Sequence, residues 1–211
     1  MNKKSQYLIA LVVIVLATVS GVLFSKWLNQ KQGLPQDMEA IVLPQSRPVA
    51  HFTMVDHNGK HFGMEQLKDK WTFMFFGYTH CPDVCPSTLA VMNSVAQSIE
   101  EEDGSLDNVQ FVFVSVDPDR DSPQQLKEYL AYFNQSFIGI TGERQQIDAL
   151  TRQMSVMYFL NNKKDKKDYS VDHSAAILLT EPSGGLRSLF STPHIPESIF
   201  KSFKIIRKHY S

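Results

Sequence analysis

Apolar side chains gather along this chain in runs of two kinds, and the spacing inside each run separates strands from helices. Residues 71–77, 109–116 and 175–179 are apolar nearly throughout, as strands covered on both faces are. Residues 87–101 instead place Leu89, Met92, Ala96 and Ile99 at helical spacing and close near Gly104. Residues 123–133 predict a helix with proline at its first position, and 143–154 predict another. The last helix, 196–209, carries Ile199, Phe203 and Ile206 on one face. Residues 49–55, followed by His57-Asn58-Gly59-Lys60 and His61-Phe62, predict a hairpin, because Asn-Gly favours a tight turn with positive φ. Residues 182–185 turn the chain from the third buried strand into an antiparallel return over Leu186–Phe190.

Strand, helix, strand, helix, then a hairpin and a closing helix make an α/β layout with a mixed central sheet flanked by helices. With a β-hairpin ahead of it, this is the thioredoxin-like arrangement, assigned here to residues 48–211. Upstream, residues 7–24 carry no charge and as a helix would span roughly 27 Å, enough to cross a hydrocarbon core. Lys3 and Lys4 precede the run, so residues 1–6 are expected in the cytoplasm and the remainder across the membrane. The run exceeds a usual signal-peptide core and no Ala-x-Ala site follows, which predicts an uncleaved transmembrane anchor. Residues 25–47 read as a tether. A net charge of −1 without a basic stripe argues against a nucleic-acid partner. The mixed-sign cluster at 163–168 reads as a solvated loop.

Only two cysteines occur, as Cys81-Pro82-Asp83-Val84-Cys85-Pro86, between the strand at 71–77 and the helix that follows. Spacing of i and i+4 turns both thiols to one side if Cys85 lies in the first helical turn. A helix N-terminus there is expected to lower the thiol pKa and favour thiolate, the form that binds metal or attacks a disulfide. A structural disulfide or a pair of inert buried thiols is the alternative. Chemistry in such folds collects where loops leave the carboxyl ends of strands. Val171-Asp172-His173-Ser174 leads into the third buried strand, and in thioredoxin-like chains that loop lies beside the cysteines.

Four stretches together resemble the SCO/SenC family. They are Phe75-Phe76-Gly77-Tyr78-Thr79-His80-Cys81-Pro82-Asp83-Val84-Cys85-Pro86, Phe113-Val114-Ser115-Val116-Asp117-Pro118-Asp119-Arg120-Asp121, Phe137-Ile138-Gly139-Ile140-Thr141-Gly142 and Val171-Asp172-His173-Ser174. The resemblance implies a membrane-anchored, thioredoxin-fold copper protein of cytochrome c oxidase assembly, with Cys81, Cys85 and His173 as copper ligands. It also places the family's Asp-x-x-x-Asp pair on Asp117 and Asp121. Two thiolates and an imidazole suit Cu(I), and with a further oxygen Cu(II), whereas zinc usually takes a fourth ligand. Copper and a redox-active Cys81–Cys85 disulfide exclude one another, because metal needs both sulfurs free.

The expected function is therefore a metallochaperone that delivers copper to the dinuclear site of an oxidase subunit. It would sit in the inner membrane with its domain facing the periplasm. A thiol-disulfide oxidoreductase is the second expectation, weakened by three residues between the cysteines instead of two and by Ser174 where catalytic thioredoxins carry a cis proline. A peroxiredoxin-like peroxidase is the third; it would place Thr three positions before the reactive Cys, and Thr79 stands two before Cys81. His80 diverges from its neighbour Cys81, and His51, His57 and His61 fall on the predicted hairpin as solvated turn residues. Asp121 or Ser122 has the offset of an N-cap for the helix beginning near Pro123. The role of Asp121 stays open between capping and the site, and that of Asp83 is open too. Eight scattered methionines fit core packing better than a Met-rich copper trap.

Overall fold

The computed structural model describes residues 11–22, 38–161 and 169–210. Residues 11–22 form helix α1. The strands are β1 (Ala40–Arg47), β2 (Met54–Asp56), β3 (His61–Phe62), β4 (Trp71–Gly77), β5 (Val109–Ser115), β6 (Ile138–Thr141), β7 (Tyr158–Leu160), β8 (Val171–His173), β9 (Ile177–Thr180) and β10 (Leu186–Phe190). The remaining helices are α2 (Met64–Leu67), α3 (Val84–Asp103), α4 (Pro123–Ala131), α5 (Arg144–Met154) and α6 (Pro196–Tyr210).

Eight strands make one sheet in the order β1-β10-β9-β4-β5-β6-β2-β3. Its centre is the parallel set β4, β5 and β6, with Trp71 facing Val109 and Gly77 facing Ser115 across the first pair. β9 and β10 run antiparallel beside β4. Every residue of β4 and β5 is buried, which explains the unbroken apolar runs: helices cover both faces. The core between them is aromatic. Phe73 stacks on Phe111 at 4.9 Å, Phe111 on Phe137 at 5.2 Å, and Phe203 of α6 meets Phe73 edge-on at 5.0 Å. α4 lies against β6 where Gly139 leaves room; a Cβ there would come within 2.7 Å of Leu130.

The Asn58-Gly59 turn forms as expected, with Gly59 at φ +76° and Asp56 Oδ1 accepting from the amides of Asn58 and Lys60, both at 2.8 Å. Its first strand starts later than the sequence pattern suggests. Residues 50 and 53 give their amides to side chains of α5, Ala50 to Gln153 and Thr53 to Gln146, so this stretch straps the helix and joins no ladder. A second difference concerns residues 25–47, expected as tether. Its last part, Ala40–Arg47, is β1, an edge strand antiparallel to β10, so the folded domain begins before residue 48. Pro44 hid it: proline is tolerated on an edge strand, and the register with β10 shifts between Val42 and Arg47, across that residue.

Among the described residues no helix is long and apolar enough to cross a membrane. The anchor expected over residues 7–24 falls partly on α1 and partly outside the described residues; residues 1–6, most of the tether and the charged cluster at 163–168 lie outside them.

Candidate metal centre

Strand β4 ends at Gly77, and the chain leaves the carboxyl end of this central strand through residues 78–83 before α3 begins at Val84. Helix α3 starts earlier than its apolar spacing indicated, so Cys85 does lie in the first turn. Cys81 precedes the helix, and its Sγ accepts the Cys85 amide at 3.4 Å. Asp83 occupies the N-cap position without a side-chain cap bond and remains exposed between the sulfurs. Both cysteines are free thiols, Cys85 buried and Cys81 half-buried. The Cys85 sulfur sits against the bare Cα of Gly77, where an added Cβ would come within 2.6 Å of it.

His173 closes β8, which pairs with β7 in a separate two-stranded ribbon. Its Nδ1 lies 3.1 Å from the Ser174 carbonyl and its Nε2 3.3 Å from Cys85 Sγ. A carbonyl can only accept, so Nδ1 carries the proton and Nε2 turns its lone pair to the Cys85 thiol. The rings of Phe75 and Tyr78 meet the imidazole edge-on at 5.8 and 5.9 Å and hold its plane. One donor atom from each of Cys81, Cys85 and His173 lies within 4.8 Å of the others. Metal–sulfur bonds of about 2.3 Å and metal–nitrogen bonds of about 2.0 Å would place such donors within about 4.6 Å of one another. The trio is therefore close to a metal-binding arrangement, and it is the only such grouping among the described residues.

Burial changes the electrostatics expected from the sequence. It pushes the Cys85 thiol far above its ordinary range, a hydrogen bond from the Tyr78 backbone opposes the shift, and neighbouring Cys81 adds to it. Desolvation thus outweighs the helix terminus at this sulfur, and the expectation of a lowered thiol pKa fails for Cys85. Burial also lowers His173, against the Ser174 carbonyl, keeping its imidazole neutral near neutral pH. A neutral imidazole offers its Nε2 lone pair to a soft cation at once, while the thiols must first give up their protons.

The other sequence candidates separate cleanly. His80 lies at the surface with its Nδ1 3.1 Å from Thr79 Oγ1 and 3.9 Å from Asp121 Oδ1, and His51 and His61 are exposed. His57 is partly buried and accepts the Gly139 amide on Nδ1 at 2.9 Å, so it ties the hairpin to β6. Ser122 caps α4, accepting from the Gln125 amide at 3.2 Å. Asp121 does not cap; it is fully buried and bonds to Thr79 and Ser115. Burial raises its pKa against those hydrogen bonds. Asp117, equally buried, bonds to Arg120 and Tyr169. The family resemblance points to these acids; Thr79 and Arg120 lie in the same quoted stretches without a role to mark them, and Tyr169 lies outside them. Ser174, at the position of the thioredoxin cis proline, bonds instead to the Met157 backbone, and the cis peptide at Thr192–Pro193 lies elsewhere.

Fold and side chains together define a thioredoxin-like protein with a dithiol–histidine cluster that could hold a metal ion. The SCO1/SenC family model matches residues 43–207, and the chain belongs to that family. It is 32% identical over 201 residues to the mitochondrial SCO2 homologue of Bos taurus, covering 93% of this chain and 74% of the bovine protein. The copper-bound crystal structure of Arabidopsis thaliana ScoI superposes with TM-score 0.69 at 34% identity, over 75% of this chain and 98% of that one. Copper-bound yeast Sco1 gives TM-score 0.71 at 29% identity, over 77% and 89%.

Proposed function

We propose that this protein is a copper metallochaperone, anchored in the inner membrane by residues 7–24 with its domain on the periplasmic side, that delivers copper to the copper-site subunit of cytochrome c oxidase during assembly. The observation that carries the copper reading is the convergence of Cys81, Cys85 and His173 within 4.8 Å. The copper bound in the Arabidopsis and yeast relatives supports it. Copper is cargo here. Cys85 and His173 hold it from the buried side, and loading expels the thiol protons. Half-buried Cys81 is the ligand that an incoming donor can reach, so transfer by ligand exchange begins at its side. A Cys81–Cys85 disulfide would leave neither thiolate for the metal, so carriage requires the reduced state.

A second reading, reduction of a partner's disulfide, has one favourable observation. Cys81 is accessible and its sulfur receives a helix-terminal amide, which suits it to attack through a mixed disulfide, with Cys85 as the resolving thiol. Dependence on His173 separates the two, since a reductase tolerates its loss and a copper carrier does not. The peroxidase reading has less support, because Thr79 spends its amide and hydroxyl on Asp121.

X-ray absorption on the reduced, copper-loaded protein tests the proposal. Two sulfurs and one nitrogen per copper are expected, with the nitrogen lost in His173→Ala. Retention of tight, nitrogen-ligated copper by that variant removes His173 from the site.

A further inference from the structure

The turn after β5 holds two fully buried carboxylates, and each reaches a different half of the metal centre. Asp121 accepts from the Thr79 amide at 3.0 Å, from Thr79 Oγ1 at 2.6 Å and from Ser115 Oγ at 2.6 Å. That fixes the loop immediately ahead of Cys81. Asp117 accepts from Arg120 Nε and from the Tyr169 hydroxyl, each at 2.5 Å. Arg120 also donates from Nη1 to the Tyr169 carbonyl at 2.9 Å, and its guanidinium lies 3.6 Å from the Tyr169 ring centre. On its other side it lies 5.5 Å from the ring of Tyr78. Tyr169 immediately precedes the segment that runs through β8 to His173. The thiol loop and the imidazole strand are remote in sequence, yet both are bonded to one short turn.

We infer that the Asp117–Asp121 turn is a two-armed clamp, in which Asp117 and Arg120 position the His173 strand through Tyr169 while Asp121 positions the Cys81 loop through Thr79. This rests on the copper site proposed above. The physical gain is that both ligand segments are ordered before the cation arrives, so binding does not have to supply that entropy. Arg120 is suited to the junction because its planar fork can ion-pair with Asp117 and stack on tyrosine at once, which a lysine ammonium cannot.

The test is competitive Cu(I) titration of the reduced, anaerobic full chain, with the variants Arg120→Ala, Thr79→Val and His173→Ala and the doubles. Partners that orient ligands are typically worth about 10- to 100-fold in metal affinity, and Arg120→Ala is expected to cost that much. In a His173→Ala background Arg120→Ala should cost nothing more, because no imidazole remains to be positioned. Thr79→Val acts on the other arm, and its loss should multiply with that of His173→Ala. Unchanged affinity in a folded Arg120→Ala protein overturns the inference, as does a multiplicative loss in Arg120→Ala/His173→Ala. Should Arg120→Ala fail to fold, Tyr169→Phe removes only the hydroxyl bond to Asp117 and must show the same non-additivity with His173→Ala. If the wild-type protein binds no copper, the copper reading falls, and amide exchange of the metal-free protein then decides the clamp by itself. Arg120→Ala should speed exchange at Val171 and spare Thr79, with the reverse for Thr79→Val; uniform acceleration in both refutes two separate arms.

Discussion

Replacing Gly77 by alanine tests whether the buried thiol is held by shape. The new Cβ would lie 2.6 Å from Cys85 Sγ, 2.9 Å from Phe113 Cε2 and 3.2 Å from Phe113 Cζ. Non-bonded heavy atoms settle at about 3.5–4.0 Å, so the sulfur must yield by about 1 Å and the ring by somewhat less. Neither has space. Cys85 is fully buried in the first turn of α3, and Phe113 is wedged between Phe75 and Tyr129 at 6.1 and 5.9 Å. Overpacking of this kind costs about 1–3 kcal/mol, and we expect about 2 kcal/mol in urea unfolding of the reduced protein. Displacing Sγ also breaks the 3.3 Å contact with His173 Nε2, so Cu(I) affinity should fall about tenfold, a loss of the size seen when ligand orientation is disturbed. Gly142→Ala is the control, since its Cβ would meet nothing closer than Met54 at 3.4 Å and should cost less than about 1 kcal/mol. A Gly77→Ala protein as stable as Gly142→Ala, with unchanged copper binding, would refute the packing argument.

Two further outcomes follow from the site and from residues 7–24. Because burial keeps Cys85 protonated, copper must displace that proton, and Cu(I) affinity should rise about tenfold per pH unit for each proton released between about pH 7 and 8; burial lowers His173 from its ordinary value, so its protonation does not compete in that window. A titration flat in pH would mean Cys85 is already a thiolate in the metal-free protein. An alkaline phosphatase fused after Pro48 should be active and sediment with membranes, and activity in the soluble periplasmic fraction would show that residues 7–24 are cleaved.

Much of this architecture is visible in one dimension because the central strands are covered on both faces, so β4 and β5 appear as unbroken apolar runs. Asn58-Gly59 announced its turn for an equally local reason, the need for positive φ. The candidate ligand trio divides differently. Cys81 and Cys85 declare themselves by spacing within one segment, whereas His173 comes from a distant ribbon and is marked only by its place ahead of the third buried strand together with the family resemblance. What stayed hidden depends on remote partners. β7 and β8 are too short to show a period, β1 is disguised by Pro44, and Tyr169 meets Asp117 only after the chain has folded across the sheet. The ionisation of Cys85 is not legible in the sequence, because a helix terminus shows there while the depth of a sulfur does not.

The sheet's two margins bear on how the protein survives alongside other unfolded and assembling chains. An open strand margin offers unpaired amides and carbonyls to any extended peptide, and long flat margins seed aggregation. Here one margin, β1, is broken by a proline and a register shift, and the other, β3, is two residues long. Neither can template a stranger's backbone over any length, so contacts with other polypeptides fall to side chains, among them the face that carries Cys81, Cys85 and His173.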